Sequence, residues 1–192
     1  KYIKYSFDDH FTKLIPKIKK KFGFPVVIKP INEGSSVNVY ICNTSNFKNK
    51  LKKLKPYKEI LIEEFISGRE IQAAILGNKK LGAIELKPKR KFYDYEAKYN
   101  SKAQTRHIIP VDLSKRKFNE LMSISCRVHN LLGCRGVTRS DFKYYKNKFY
   151  LLETNTQPGM TKLSLVPEIC MHKGINFIKL IKLLLDDAST NK

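Results

Sequence analysis

The stretch GVTRSDFKYYKNKFYLLETN at residues 136–155 decides the fold. Two runs rich in β-branched and aromatic residues, Gly136 to Tyr145 and Phe149 to Thr154, flank Lys146, Asn147 and Lys148, which predicts a β-hairpin closed by a three-residue loop. Residues two apart on a strand share a face, so Arg139 and Asp141 lie together on one strand and Glu153 and Asn155 on the other. This loop length sets Asp141 opposite Glu153 and Arg139 opposite Asn155, and four polar groups converge. Two carboxylates and an amide oxygen suit Mg²⁺, a hard cation whose remaining positions phosphate oxygens and water can fill. A neighbouring guanidinium can neutralise charge on a transferring phosphoryl group. An exposed, salt-bridged sheet face would use the same residue types. Against it, Val137, Phe142, Leu151 and Leu152 predict a buried setting, and Asn155-Thr156-Gln157-Pro158-Gly159 follows as a special turn.

Upstream, Val26 to Lys29 reads as a short buried strand whose terminal lysine needs an anion to justify its position. Glu33-Gly34-Ser35-Ser36 follows, a small-residue loop whose N–H groups and hydroxyls can approach phosphate closely. Alone this is a weak signal, because the P-loop pattern is absent. Glu63 and Glu64 close a strand, with Gly68 and Glu70 beyond, a spacing able to hold adenine and ribose or to form an ordinary acidic strand end.

The rest of the chain alternates strand and helix signals. Asp8 to Phe22 has helical spacing that Pro16 should kink or split. Val37 to Cys42 reads as a strand and Asn46 to Leu54 as a basic helix. Ile60 to Phe65, Arg69 to Leu76 and Leu81 to Leu86 read as a meander, with Gly77-Asn78 as a turn. Ser114 can cap a long helix whose apolar positions Phe118, Leu121, Met122, Val128, Leu131 and Leu132 keep the 3.6 period, and Gly133 suits its end. Helices over Leu165 to His172 and Phe177 to Leu185 follow. The predicted class is α+β with largely antiparallel sheet.

Composition narrows the function. At 192 residues, 42% hydrophobic and 11% aromatic, the chain can bury one sizeable core or two small ones, which excludes a disordered tail. Phe177 to Leu185 is interrupted by Lys179 and Lys182, and residues 1–7 are too short and mixed for a secretion signal, so no membrane partner is expected. Four cysteines lie far apart, fitting neither zinc nor a disulfide framework, and predict a reduced, cytoplasmic protein. The net charge of +21 suggests nucleic acid, but the lysines are scattered and no reading motif accompanies them, so no nucleic-acid partner is expected. The first residue is lysine, and a missing N-terminal part is expected.

The segments FPVVIKPINEGSSV at 24–37, LIEEFISGREI at 61–71, FYDYEAKY at 92–99, LGCRGVTRSDF at 132–142 and YLLETNTQPGMTKLSLVP at 150–167 resemble the D-alanine:D-alanine ligases, in order and at compatible spacings from about residue 1 to 187. The resemblance implies an ATP-grasp fold, in which two α+β subdomains with mainly antiparallel sheets hold ATP between them. These would be a central subdomain at 1–67 and a C-terminal catalytic one at 68–192, with about a third of the enzyme, its N-terminal domain, missing. It implies an ATP-dependent joining of two D-alanine molecules through an acyl phosphate for peptidoglycan precursor synthesis, and a homodimer at full length. Alternatives are a non-catalytic nucleotide-binding remnant, another ATP-grasp carboxylate-amine ligase, or a basic nucleic-acid-binding module.

The same resemblance implies the roles of individual residues. Lys29, Lys98 and the loop of Glu33, Ser35 and Ser36 would hold phosphates. Glu63, Glu64, Phe65, Ile66, Glu70 and Phe142 would surround adenine and ribose. Asp141, Glu153 and Asn155 would bind two Mg²⁺ or Mn²⁺ ions. Arg139 would steady the acyl phosphate and the tetrahedral intermediate, Gly159 would supply an oxyanion contact, and Ser164 and Leu165, at a helix start, would receive the carboxylate of the second D-alanine. Ser35 and Tyr99 would close a lid formed by 87–107, which also carries Tyr93 and Tyr95, and Tyr99 would favour D-alanine over D-lactate as acceptor. The chain alone is expected to bind Mg-ATP weakly and to make no dipeptide. Three positions depart from the family: Asn38 stands where glycine is usual, Ser140 replaces an apolar residue, and Thr154 a small or aliphatic one. Ser140 is expected on the buried face, where its hydroxyl can bond locally.

Overall fold

The computed structural model describes residues 1–34, 36–87, 105–161 and 163–188, which fall into two compact units. The first, within 1–66, is a four-stranded antiparallel sheet of β1 (Tyr2–Ser6), β2 (Val26–Pro30), β3 (Tyr40–Cys42) and β4 (Glu59–Glu64), in the order β1-β4-β2-β3. Helices α1 (Phe11–Lys21) and α2 (Phe47–Lys53) accompany it, with a short 3₁₀ turn at Lys55–Tyr57. Strict alternation separates the sheet's faces: Val26, Ile28, Ile60 and Ile62 are fully buried with Leu14, Ile18 and Phe47, while Val27, Lys29, Leu61 and Glu63 stay half-buried on the other side.

Helix α1 runs unbroken through Pro16, contrary to expectation. The missing N–H frees the carbonyl of Thr12, and both residues are exposed, so water can satisfy it. Leu14 and Ile18, buried on either side of the proline, hold the two halves against one core.

The second unit is a five-stranded antiparallel sheet in the order β7-β6-β5-β8-β9. Its strands are β5 (Arg69–Leu76), β6 (Lys79–Lys87), β7 (Arg106–Ile108), β8 (Val137–Tyr145) and β9 (Lys148–Asn155). The expected meander is not formed, because β4 pairs with β1 and β2 while β5 turns to β6 and β8. Three helices complete the unit: α3 (Lys115–Leu131), α4 (Leu165–His172) and α5 (Phe177–Asp187). The Ser114 hydroxyl accepts from the Lys117 N–H at 3.3 Å and caps α3.

Each face of this sheet has its own helix. Ile71, Ala73, Ile75 and Phe142 pack with Leu121 and Met122 of α3. The buried stripe of α3 then continues through Ser125 and His129, whereas Leu131 and Leu132, expected inside, are exposed. On the opposite face, a Cβ on Gly82 would meet Ile169 of α4 at 3.3 Å, and the φ of +148° at Gly82 is itself a conformation that glycine favours.

Candidate functional site

The hairpin reaches its predicted pairing by an unpredicted route. Lys146 and Asn147, both with positive φ, form a two-residue turn between Tyr145 and Lys148, one residue shorter than expected. A bulge at Leu152, between the Phe142–Leu151 and Asp141–Glu153 pairs, restores the register. Beyond it Asp141 faces Glu153, Ser140 faces Thr154 and Arg139 faces Asn155. Leu151 and Leu152 are exposed rather than buried, because β9 is an edge strand and the bulge turns it outward.

Cross-strand pairing assembles the α4 face in rows. One runs Glu153, Asp141, Gln72, Ile84. The next, towards the open end of the hairpin, runs Asn155, Arg139, Ala74, Gly82, and the row on the turn side brings Lys143 beside Glu70. The Arg139 guanidinium donates to both Asp141 oxygens, Nε to Oδ1 at 2.8 Å and Nη2 to Oδ2 at 3.1 Å. Asp141 is only 4% exposed, so this two-point contact offsets much of the cost of burying its charge. Lys143 Nζ donates to Glu70 Oε2 at 2.9 Å.

Two buried polar atoms on this face, Gln72 Oε1 and Asn155 Nδ2, have no hydrogen-bond partner among the described residues. Leaving such atoms unpaired costs about 1–3 kcal/mol each, and polar groups left open in a native fold point to a ligand. The donor set fits a hard divalent cation: two carboxylates, an unpaired carbonyl oxygen, and an amide that can turn to present its oxygen without losing a bond at Nδ2. Among the described residues no cluster of three or more His, Cys, Asp or Glu is placed to hold a metal, so the amides are needed to complete this one.

At the end of the same unit, Ser164 precedes α4 and its hydroxyl contacts Thr161, with Oγ 2.9 Å from both the N–H and Oγ1. Its side chain makes no cap to the helix, so the first-turn N–H groups of α4, beginning at the buried Leu165, are not capped by Ser164. Gly159 lies so near that an added Cβ would stand 2.9 Å from Ser164 Oγ. Phe142 does not join this site. It is fully buried on the α3 face, edge-on to Phe149.

In the first unit, the anion that Lys29 requires is Glu63, with Nζ 2.8 Å from Oε2, both on the half-buried sheet face. Glu64, Phe65 and Ile66 follow, half-buried, and the Phe65 N–H donates to the Pro25 carbonyl at 3.4 Å. Glu33 is exposed. The expected strand from Val37 forms only at Tyr40–Cys42, because Ser36 and Asn38 adopt positive φ, which a strand cannot accommodate. This conformation explains the departure at position 38, since asparagine tolerates it better than most residues. Its side chain is then tied down: Nδ2 donates to Tyr57 Oη at 2.6 Å, and Tyr40 Oη donates to Oδ1 at 2.9 Å. Ser35, Tyr93, Tyr95, Lys98, Tyr99 and most of the 87–107 segment lie outside the described residues.

Sequence reasoning missed Gln72, the Asn38 clamp, and the His107–Glu168 contact of 2.7 Å between β7 and α4. The signal for Gln72 was present as a lone amide inside the apolar run IQAAIL, two residues from Glu70. Tyr57 lies 19 residues from Asn38 and Glu168 lies 61 from His107, separations at which periodicity gives no information.

The family described as D-ala D-ala ligase C-terminus matches residues 2–186. The D-alanine--D-alanine ligase of Pelagibacter ubique is 64% identical over 192 residues, all of this chain and 63% of that protein. The corresponding ligase of Wolbachia pipientis wMel is 41% identical over 177 residues, 90% of this chain and 56% of that protein. The crystal structure of D-alanine--D-alanine ligase from Bacillus anthracis superposes with a TM-score of 0.84 at 29% identity, covering 97% of this chain and 60% of that one. Its complex with ATP gives 0.79 at 28% identity, with the same coverage. The chain thus spans less than two thirds of the length of these relatives.

Proposed function

Because the chain belongs to the D-ala D-ala ligase C-terminus family, with an α+β ATP-grasp fold, we propose that it carries the nucleotide-binding and catalytic part of an ATP-dependent ligase joining two D-alanine molecules. The observation that carries this reading is the convergence of Asp141, Glu153, Asn155 and Arg139 on one sheet face beside buried polar atoms without partners among the described residues. ATP phosphorylates the carboxylate of one D-alanine; the amine of a second attacks the resulting acyl phosphate and phosphate leaves.

The residues divide this work. Lys29 shares its Glu63 contact with the phosphates, joined by Lys98 and the loop of Glu33, Ser35 and Ser36. Glu63, Glu64, Phe65, Ile66 and Glu70 receive adenine and ribose. Arg139, already aligned by Asp141, directs N–H donors at the transferring phosphoryl group and then at the tetrahedral centre. The uncapped start of α4 at Ser164 and Leu165 takes the acceptor's carboxylate, and the Gly159 N–H supports the oxyanion. Asp141, Glu153 and Asn155 would hold two Mg²⁺ or Mn²⁺ ions, which supply electrostatic stabilisation of phosphate charge. The part that the resemblance implies for Ser35 and Tyr99, closing a lid over the reactants, goes with this reading, and both lie outside the described residues. A cytoplasmic homodimer goes with this reading, and among the described residues no helix is long and apolar enough to cross a membrane.

The test reads D-alanine-dependent ADP release and dipeptide formation from this chain extended to the length of its relatives. Arg139→Ala should lower the rate by ~10²–10³ with ATP still bound, the scale of losing a transition-state donor. ADP release indifferent to D-alanine, or to Arg139, would overturn the assignment.

A further inference from the structure

We propose that Gln72 is a fourth residue of the metal site, its Oε1 accepting from a water held by the cation beside Asp141; this rests on the metal reading above. Gln72 is 1% exposed, its Oε1 has no partner among the described residues, and it lies directly cross-strand from Asp141 on the α4 face. An amide carbonyl can only accept, so its partner must be an O–H, an N–H or a cation.

The neighbours on its sheet face do not supply that partner. Asp141 presents another acceptor, Ile84 and Ala74 offer no polar side-chain atom, and in the adjacent row Lys143 Nζ is directed at Glu70 Oε2, 2.9 Å away, not at Gln72. Arg139 Nε and Nη2 are directed at the Asp141 oxygens. A carbonyl oxygen and a carboxylate side by side repel unless something positive lies between them. On the Asp141 side of the row stand Glu153 and, one row away, Asn155. Acceptors therefore gather around Asp141, whose oxygens Arg139 already meets, and the oxygen left open is that of Gln72; a cation at this row would bring O–H donors to it as bound water. A Mg²⁺ ion characteristically keeps several waters, and outer contacts of this kind are worth about 10–100-fold in metal affinity.

The experiment titrates the protein with Mn²⁺ at saturating ATP, reading free Mn²⁺ by electron paramagnetic resonance. Gln72→Leu should weaken Mn²⁺ binding by about tenfold, and Gln72→Glu, which keeps the shape and adds charge, should tighten it by at least threefold. Unchanged affinity in Gln72→Leu overturns the proposal, as does weaker binding in Gln72→Glu, the outcome expected if the amide merely donates to Asp141. A Gln72→Leu loss that vanishes when 2′-deoxy-ATP replaces ATP would assign the oxygen to a ribose hydroxyl and also overturn it. Asp141→Asn separates this from the reading beneath: if that variant leaves Mn²⁺ binding intact, the metal site itself is wrong, whereas an Asp141 effect without a Gln72 effect sinks only Gln72.

Discussion

The two faces of the five-stranded sheet bury polar groups by opposite rules. On the α3 face the buried polar side chains find partners: Ser140 Oγ and Thr154 Oγ1 stand 3.0 Å apart, His129 Nδ1 and Thr138 Oγ1 2.8 Å, and the Ser125 hydroxyl donates to the Leu121 carbonyl at 2.9 Å. Glu85, 1% exposed, receives Arg69 at two points, Nε to Oε1 at 3.0 Å and Nη2 to Oε2 at 2.6 Å. On the α4 face lie both of the buried side-chain atoms that lack partners among the described residues. A polar group that serves the fold is satisfied within it. One that serves a ligand is left open, and the fold bears the cost until the ligand arrives.

Stability measurements can break this contrast. The largest effect is expected at Arg69, because Arg69→Met leaves the Glu85 carboxylate buried without its main partner. A loss of about 3 kcal/mol should appear in the urea midpoint, at the lower end of the usual range because Arg69 is itself one-third exposed. A change under 1 kcal/mol would mean that Glu85 finds other compensation, such as Lys87, whose Nζ lies 3.9 Å away.

The sign should reverse across the sheet. Gln72→Leu removes an unpaired buried oxygen at nearly constant volume, and is expected to raise stability by about 1 kcal/mol while weakening metal binding. A destabilisation of that size would show that the oxygen is satisfied in the free protein and would erase the distinction between the faces.

A subtler effect belongs to Ser140 and Thr154, the two departures from the family pattern that meet across the hairpin. Changed singly to alanine, each leaves the other hydroxyl without its partner; changed together, neither is stranded. A double-mutant cycle should give a coupling of about 0.5–1.5 kcal/mol, and an additive result would mean that water replaces the contact at no cost.

The hairpin is legible in the sequence because alternation and register are local properties, which place Asp141, Glu153, Arg139 and Asn155 on facing positions. The shorter turn and the bulge cancelled, so the pairing survived an error in each. Local pattern failed where partners are remote or context decides. Strand β4 joined β1 because Tyr2–Ser6 lies beside it in space, and β1 carries too few residues to announce itself. Helix α3 ended its buried stripe on Ser125 and His129, polar residues that periodicity discards and hydrogen bonding rehabilitates.

His129 gives the smallest and most specific test. Burial lowers its pKa from the ordinary 6.5, with a hydrogen bond from the ring to the Cys134 backbone opposing, and at 2% exposure the neutral ring faces Thr138. The folded protein therefore takes up the proton less readily than the unfolded chain. Stability from this residue is fully present above about pH 6.5, falls as the pH drops below that value, and levels off once the folded-state pKa is passed. Carboxylates add their own slope at lower pH, so the informative quantity is a difference. Urea midpoints of the protein and of His129→Asn, whose amide can still bond Thr138, should run parallel above pH 7 and converge as the pH falls from 6.5 to 5. Curves that stay parallel throughout would mean that His129 titrates alike in both states, and that the α3 face tolerates a charged ring as its closed hydrogen bonding says it should not.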